Sequence, residues 1–244
     1  MTSRGCEVRY LWSQSVGLSR ANNTGIAAAK HDALVFTHDD VLVAPSWHGA
    51  LVRALVEAGP RAVVTGRVPP TTAGKPGDSS PSIRLDETPA VYEGRIGTDV
   101  LYPLNMAMHR SAIVAIGHFD ERLGLGTGFP GGEDNNFGFR LLEAGYRVVS
   151  VPEAVVYHRA WMSEGEFLAL RWSYGRGRGA YYAKHLSLRD PYMLKRRRHD
   201  VLKRVLRFPS RLWRDRRGAY GDAAFTLGVL SGAAEWLLTQ RQKR

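Results

Sequence analysis

The stretch from Asn105 to His158 constrains this chain more than any other. At its centre, Gly131-Gly132-Glu133-Asp134 sets two adjacent carboxylates where a glycine-rich loop turns into a helix, continued by Phe137, Phe139, Leu141 and Leu142 and stopped at Gly145. Such a junction aims acid groups into a cleft. First-turn carboxylates also suit the positive end of a helix dipole, so a plain charged helix start is the competing reading. Upstream, Ala33 to Thr37 is an apolar, β-branched run with the pattern of a buried parallel strand. It delivers His38-Asp39-Asp40 at its carboxyl end, where open α/β sheets bind ligands. A helix over Ser46 to Ala58, closed by Gly59, leads to a strand over Arg61 to Val68, and strand, helix, strand implies a parallel unit.

Around this frame the pattern predicts a short strand at Val8 to Leu11 and a helix over Arg20 to Lys30 with Ser19 as its N-cap, its start pointing amides at an anion or serving as an ordinary cap. Further on it predicts a strand over Tyr102 to His109, a helix over Ser111 to Ile116, and strands at Tyr146 to Val151 and Ala154 to His158 split by Pro152. Residues 69–98 are rich in Pro, Gly, Ser and Thr without a period. They read as one long loop, either a mobile functional segment or a surface excursion. Met162 to Leu186 is largely helical, but Gly175-Arg176-Gly177-Arg178-Gly179 interrupts it, as a flexible cationic place for an acceptor's phosphate or as a simple bend.

Charge is unevenly spread. The net charge is +11, yet residues 171–244 hold 19 Lys and Arg against 5 Asp and Glu, so the excess belongs to the C-terminal part. Basic regions of this kind seek phosphates, on lipid headgroups or nucleic acid. From Lys195 to Arg217, Val201, Leu202, Val205, Leu206, Leu212 and Trp213 recur at helical spacing among basic residues, with Pro209 breaking the pattern. That is the signature of an interfacial helix, with an appendage docked on its own domain as the alternative. The acidic balance of residues 1–170 speaks against a nucleic-acid partner. The apolar run from Ala223 to Ala234 is short of the roughly 20 residues that span a bilayer. A single cysteine, Cys6, excludes an internal disulfide framework, and a cytoplasmic protein, peripheral on the inner face of the membrane, is expected.

Several pieces then fall in a recognisable order. Asn105-x-Ala107-x-x-Arg110, Gly117-His118-Phe119-Asp120-Glu121, Glu133-Asp134, Arg140-Leu141, Ala144-Gly145-Tyr146 and Val156-x-His158 resemble the second half of a family two glycosyltransferase with the GT-A fold. Gly17-Leu18-Ser19-Arg20-Ala21-Asn22-Asn23-x-Gly25-Ile26 resembles the segment before the sugar-nucleotide site, and Phe36-Thr37-His38-Asp39-Asp40 sits where the family carries Asp-x-Asp. The resemblance implies an α/β domain over residues 1–160, a Rossmann-like, mostly parallel sheet flanked by helices, with a basic helical region over 161–244. It also implies that about one N-terminal βαβ unit, on the order of 30 residues, is missing, which would leave strand edges and apolar surface uncovered. A start codon placed too far downstream or a genuine fragment would each account for that.

The same resemblance implies a chemistry. Asp134 would be the general base of an inverting displacement, with Glu133 supporting it. Asp40 and His158 would hold a divalent cation, Mg²⁺ or Mn²⁺, against the diphosphate of a nucleotide-sugar donor. His38 stands where an Asp is expected; neutral imidazole still ligates metal but removes a negative charge. Arg20, Asn22, Asp39 and Asn105 are candidate contacts to donor or acceptor, Asn105 equally a backbone-capping residue. The acceptor would be a glycan or a lipid-linked molecule. A fold that has lost its activity and acts as a membrane-surface binding protein is the competing class, favoured by His38.

Overall fold

The computed structural model describes residues 2–241 apart from 4–5, 15, 72–79, 81, 160–161, 164 and 188. In chain order the elements are β1 (Thr2–Ser3), β2 (Cys6–Glu7), α1 (Leu18–Ala28), β3 (Ala33–Thr37), β4 (Val41–Val43), α2 (Trp47–Ala58), β5 (Ala62–Arg67), β6 (Ala90–Tyr92), β7 (Asn105–His109), α3 (Arg110–Ile116), α4 (Glu133–Glu143), β8 (Arg147–His158), α5 (Phe167–Lys184), α6 (Tyr192–Arg214) and α7 (Arg216–Arg241). The main sheet runs β3-β7-β5-β8-β4, with β6 also on β8.

The α/β frame stands, but the sheet is mixed rather than mostly parallel. β3, β5 and β8 run one way, while β7 lies antiparallel between β3 and β5, and β4 and β6 pair antiparallel with β8. Both faces are covered, and strand alternation divides the residues between them. Val63, Met106 and Met108 point to the core shared with Phe137, Leu141 and Ile113, whereas Val64 and Ala107 point to Leu51 and Leu55 of α2. α2 ends where Gly59 adopts φ 80°, its N–H donating to Leu55 O.

Several local expectations change. Ala33 to Thr37 is an edge strand, paired only with β7 among the described residues, and Ala33 and Thr37 are exposed. Gly17, not Ser19, caps α1; the Ser19 hydroxyl donates to Leu123 O and the Leu18 N–H to Leu125 O, so this helix start is spent on the 123–125 loop. Residues 8–11 form no strand. The two strands expected around Pro152 are one, because the register slip between Gly66 and Arg67 absorbs the irregularity. The 69–98 segment holds β6 and the buried Arg84, which donates to Val100 O and Ser150 Oγ; residues 72–79 and 81 lie outside the described set.

α5 runs unbroken through its glycines, and α6 through Pro209. The glycines do not bend α5. They let two backbones meet: a Cβ on Gly175 would overlap Phe225 O, one on Gly179 would overlap Val229 O, and Gly228 and Gly232 of α7 sit in the same way on Trp172 O and Arg176 O. Close packing offsets the intrinsic helix cost of about 1 kcal/mol per glycine. Gly177, on another face, lies against Pro130 and Gly131. The basic C-terminal helices therefore hold the loop that carries the acid pair. Among the described residues no helix is long and apolar enough to cross a membrane.

Candidate active site

The carboxyl ends of β3, β5 and β8 meet at one edge of the sheet, and a cavity of about 400 Å³ opens there. Pairing of Val41 with His158 brings Asp40 beside His158 across the β4–β8 ladder, and the Arg159 N–H donates to Asp40 O. His158 Nε2 lies 3.1 Å from Asp40 Oδ2. His38 lines the same cavity, with Nε2 buried and no hydrogen-bond partner among the described residues. Its pKa is lowered, first by burial and then by the nearby His158, against the pull of Asp40. A neutral imidazole with a bare nitrogen results.

Facing these groups, α4 begins at Gly132, whose φ of 82° and the 96° of Gly131 place the loop in a conformation that side chains rarely adopt. The first turn presents Glu133 and Asp134 to the cavity, while Phe137 stacks on Phe119 at 4.1 Å and anchors the helix to the core. Both carboxyls are pushed above the usual range. Burial is the main cause for each; Asp134 adds to it for Glu133, and Asp99 adds to it for Asp134, where Arg178 pulls the other way. Glu133 Oε2 is buried without a hydrogen-bond partner among the described residues.

Five predicted site residues thus share one cavity: His38, Asp40, Glu133, Asp134 and His158. Four others do not line it. Arg20 is on the surface, paired with Glu121 at 3.3 Å. Asn22 lines a separate groove along β3, and Asp39 is exposed in the turn between β3 and β4, where the alternation of an extended strand does not hold. Asn105 is fully buried: its amide donates to Arg67 O and Ala154 O and accepts from Trp47 Nε1, which ties β5, β8 and α2 together and leaves no amide hydrogen for a substrate.

Sequence reasoning missed the opposite wall. Asp99, Tyr102, Tyr174, Arg178 and Arg204 also line the cavity, the last three from α5 and α6. The signal was the four-residue glycine spacing repeated at 175/179 and 228/232, which marks two helices in backbone contact and hence a folded C-terminal wall.

Among the described residues no three His, Cys, Asp or Glu side chains form a ready cation cage. Asp40, His158 and the bare His38 nitrogen suit an ion that takes few protein ligands and draws the rest from a substrate's phosphates.

No curated protein matches this chain. A solved structure, GalNAc-T7 with UDP, GalNAc and Mn²⁺, is 16% identical with a TM-score of 0.44, covering 72% of this chain and 38% of its own. This chain thus spans well under half of that protein, and the likeness carries no residue roles. The family model described as Glycosyl transferase family 2 matches residues 3–117, which run from the first strand to the end of α3 and include α1, β3 and the His38-Asp39-Asp40 turn. That stretch, under half of the 244 residues, is similar to glycosyl transferase family 2, and a mixed sheet stands behind its His38-Asp39-Asp40 turn.

Proposed function

We propose that the chain transfers a sugar from a nucleoside-diphosphate sugar to an acceptor hydroxyl with inversion at the anomeric carbon. The observation that carries this is the meeting of Asp40 and His158 with the buried Glu133-Asp134 pair around one cavity. In the step, the acceptor oxygen bonds to the anomeric carbon as the bond to the diphosphate oxygen breaks, and the acceptor's proton passes to Asp134. A desolvated carboxylate is suited to this because burial raises its proton affinity. Asp40, His158 and His38 would hold a divalent cation, which supplies charge neutralisation to the departing diphosphate. A calorimetric titration tests the arrangement. Nucleoside diphosphate should bind in Mn²⁺ or Mg²⁺, bind at least 10-fold more weakly in chelator, and lose the cation effect in Asp40→Ala. Cation-independent binding that survives Asp40→Ala would remove Asp40 from the role.

The proposal extends to where the protein works. On α6 the outward arc carries Leu202, Val205, Leu206 (76% exposed) and Trp213 (90% exposed), bordered by Lys195, Arg198, Lys203 and Arg207. Apolar side chains flanked by cations complement an anionic bilayer, whose inner leaflet attracts each basic residue by about 1 kcal/mol. Leu206→Glu with Trp213→Glu should abolish cosedimentation with phosphatidylserine vesicles without unfolding the protein. Unchanged partition would refute this, and so would binding that ignores salt.

A further inference from the structure

The wall that α5, α6 and α7 give to the cavity carries Arg171, Arg204 and the buried Phe225. Backbone contact seats that ring: a Cβ on Gly175 would overlap Phe225 O, so α7 lies directly on α5. Two guanidinium groups rest against the ring, with Cζ of Arg171 4.8 Å and Cζ of Arg204 4.2 Å from its centroid. Both are also tethered by hydrogen bonds. Arg171 donates through Nε to Gly221 O and through Nη2 to Asp222 Oδ1 at 3.3 Å. Arg204 donates through Nη1 to Asp200, and its Nε lies 3.7 Å from Asp222 Oδ1. One terminal nitrogen of each, Nη1 of Arg171 and Nη2 of Arg204, has no hydrogen-bond partner among the described residues, and neither is sealed from solvent. The arginines are fixed in place with donors to spare.

A phosphate fits such a pair, because its several acceptor oxygens serve two guanidinium groups at once and planar guanidinium matches their spacing. It would use the spare nitrogens, so no existing ion pair has to break. The cations also crowd one another around Asp222, which Arg211 reaches at 2.6 Å as well. Burial and then Arg204 lower the pKa of Arg171, against the pull of Asp222, and an added anion relieves that crowding. Position decides which substrate brings the phosphate. Asp40, His158 and His38 serve the donor diphosphate from the sheet edge, so the acceptor reaches Asp134 from the wall that the donor leaves open. Arg204 stands on α6 in the same turn as the outward Leu202, Val205 and Leu206, which ties this wall to the face offered to a bilayer. We propose that the helical wall is the acceptor subsite and selects an acceptor that carries a phosphate, held by Arg171 and Arg204 while a hydroxyl of the same molecule meets Asp134. This rests on the transfer reading and names the substrate class it left open.

Calorimetric titration of the full chain in chelator tests this, since no cation is then present to hold a diphosphate at the sheet edge. The probes are glycerol 3-phosphate and dihexanoyl phosphatidylglycerol below its micellar concentration, which offer a phosphate and hydroxyls without and with acyl chains. At least one should bind, about 10-fold more weakly in Arg171→Gln and in Arg204→Gln. Preference for the acylated probe assigns a lipid headgroup, and preference for the other a soluble phosphate. Binding of neither probe, or binding that both folded variants leave unchanged, would overturn the proposal. Nucleoside diphosphate titrated in Mn²⁺ on the same variants separates the two ends of the cavity: an equal loss there would assign the arginines to the donor and overturn it too. If the arginine variants do not fold, Asp200→Asn decides. Removing the carboxylate that holds Arg204 Nη1 should tighten phosphate binding by about 3-fold, a gain that loosened packing does not produce, and unchanged or weaker binding would count against the subsite. Because no turnover is involved, the expected pattern in a protein that transfers no sugar would uphold the phosphate subsite and fault the transfer reading instead.

Discussion

Asp134→Asn should lower sugar transfer by about 10² or more while leaving the fold intact, because the amide keeps the shape of the side chain and cannot accept a proton. The expected specificity lies in the comparison with its neighbour. Glu133→Gln keeps a group of the same size beside the base and leaves the base itself in place, so its effect should be several-fold smaller. The pH profile supplies a second check. Burial and then Asp99 push the Asp134 carboxyl up, against Arg178, so its ionised form is lost at a higher pH than for a free carboxyl. Transfer should therefore fall on acidification through a limb well above the ~4 of an unperturbed aspartate. A limb at that ordinary value, or equal losses in the two variants, would contradict the division of roles. Steady-state rates from pH 5 to 8, with circular dichroism on each variant, make the comparison.

Gly177→Ala should be nearly as damaging, although no side chain in the cavity is removed. Its new Cβ would overlap Gly131 O and crowd Pro130 O, both of them backbone, and backbone does not move aside as a flexible side chain does. Either α5 shifts against α7, where Gly175 and Gly179 already sit in contact, or the Gly131–Gly132 turn moves and carries Glu133 and Asp134 with it. Overpacking of this kind costs about 1–3 kcal/mol, and a displacement near 1 Å at a reacting group costs about 10² in rate. The expected result is a lowered melting temperature together with a fall in transfer of at least 10-fold. Gly25→Ala is the control, since nothing lies within 4 Å of a Cβ there and α1 should accept it. Gly177→Ala with wild-type stability and rate would show that the helix does not seat the loop.

The parts of the site that could be read from the sequence are those set by local pattern. A strand ending in His38-Asp39-Asp40 and a helix opening on Glu133-Asp134 each announce themselves through periodicity and glycine placement, and both reach the cavity. What the pattern could not supply was pairing. Asp40 meets His158 only because β4 pairs with the end of β8, a contact across 118 positions. Asn105 looked like a polar side chain at a strand end, but its register opposite Thr37 buries it among Arg67, Ala154 and Trp47, where backbone carbonyls take both amide hydrogens. The glycine-arginine run misled for a related reason. Helix propensity argues against five residues with three glycines, and tertiary packing overrides it once a second glycine-spaced helix lies alongside. Arg176 and Arg178 showed no partner because Glu235 and Asp99 lie 59 and 79 positions away.

The most direct measurement of the central claim needs no knowledge of the acceptor, because water can replace it. Release of nucleoside diphosphate should be followed with a panel of nucleotide-sugars in Mn²⁺, comparing the wild-type chain with Asp134→Asn and Asp40→Ala. The account predicts slow release from at least one donor by the wild-type protein, reduced at least 10-fold by either substitution and stopped by chelator. Release that continues in both variants, or no release from any donor by a wild-type protein that binds nucleoside diphosphate, would contradict it and favour a fold that binds without catalysing transfer.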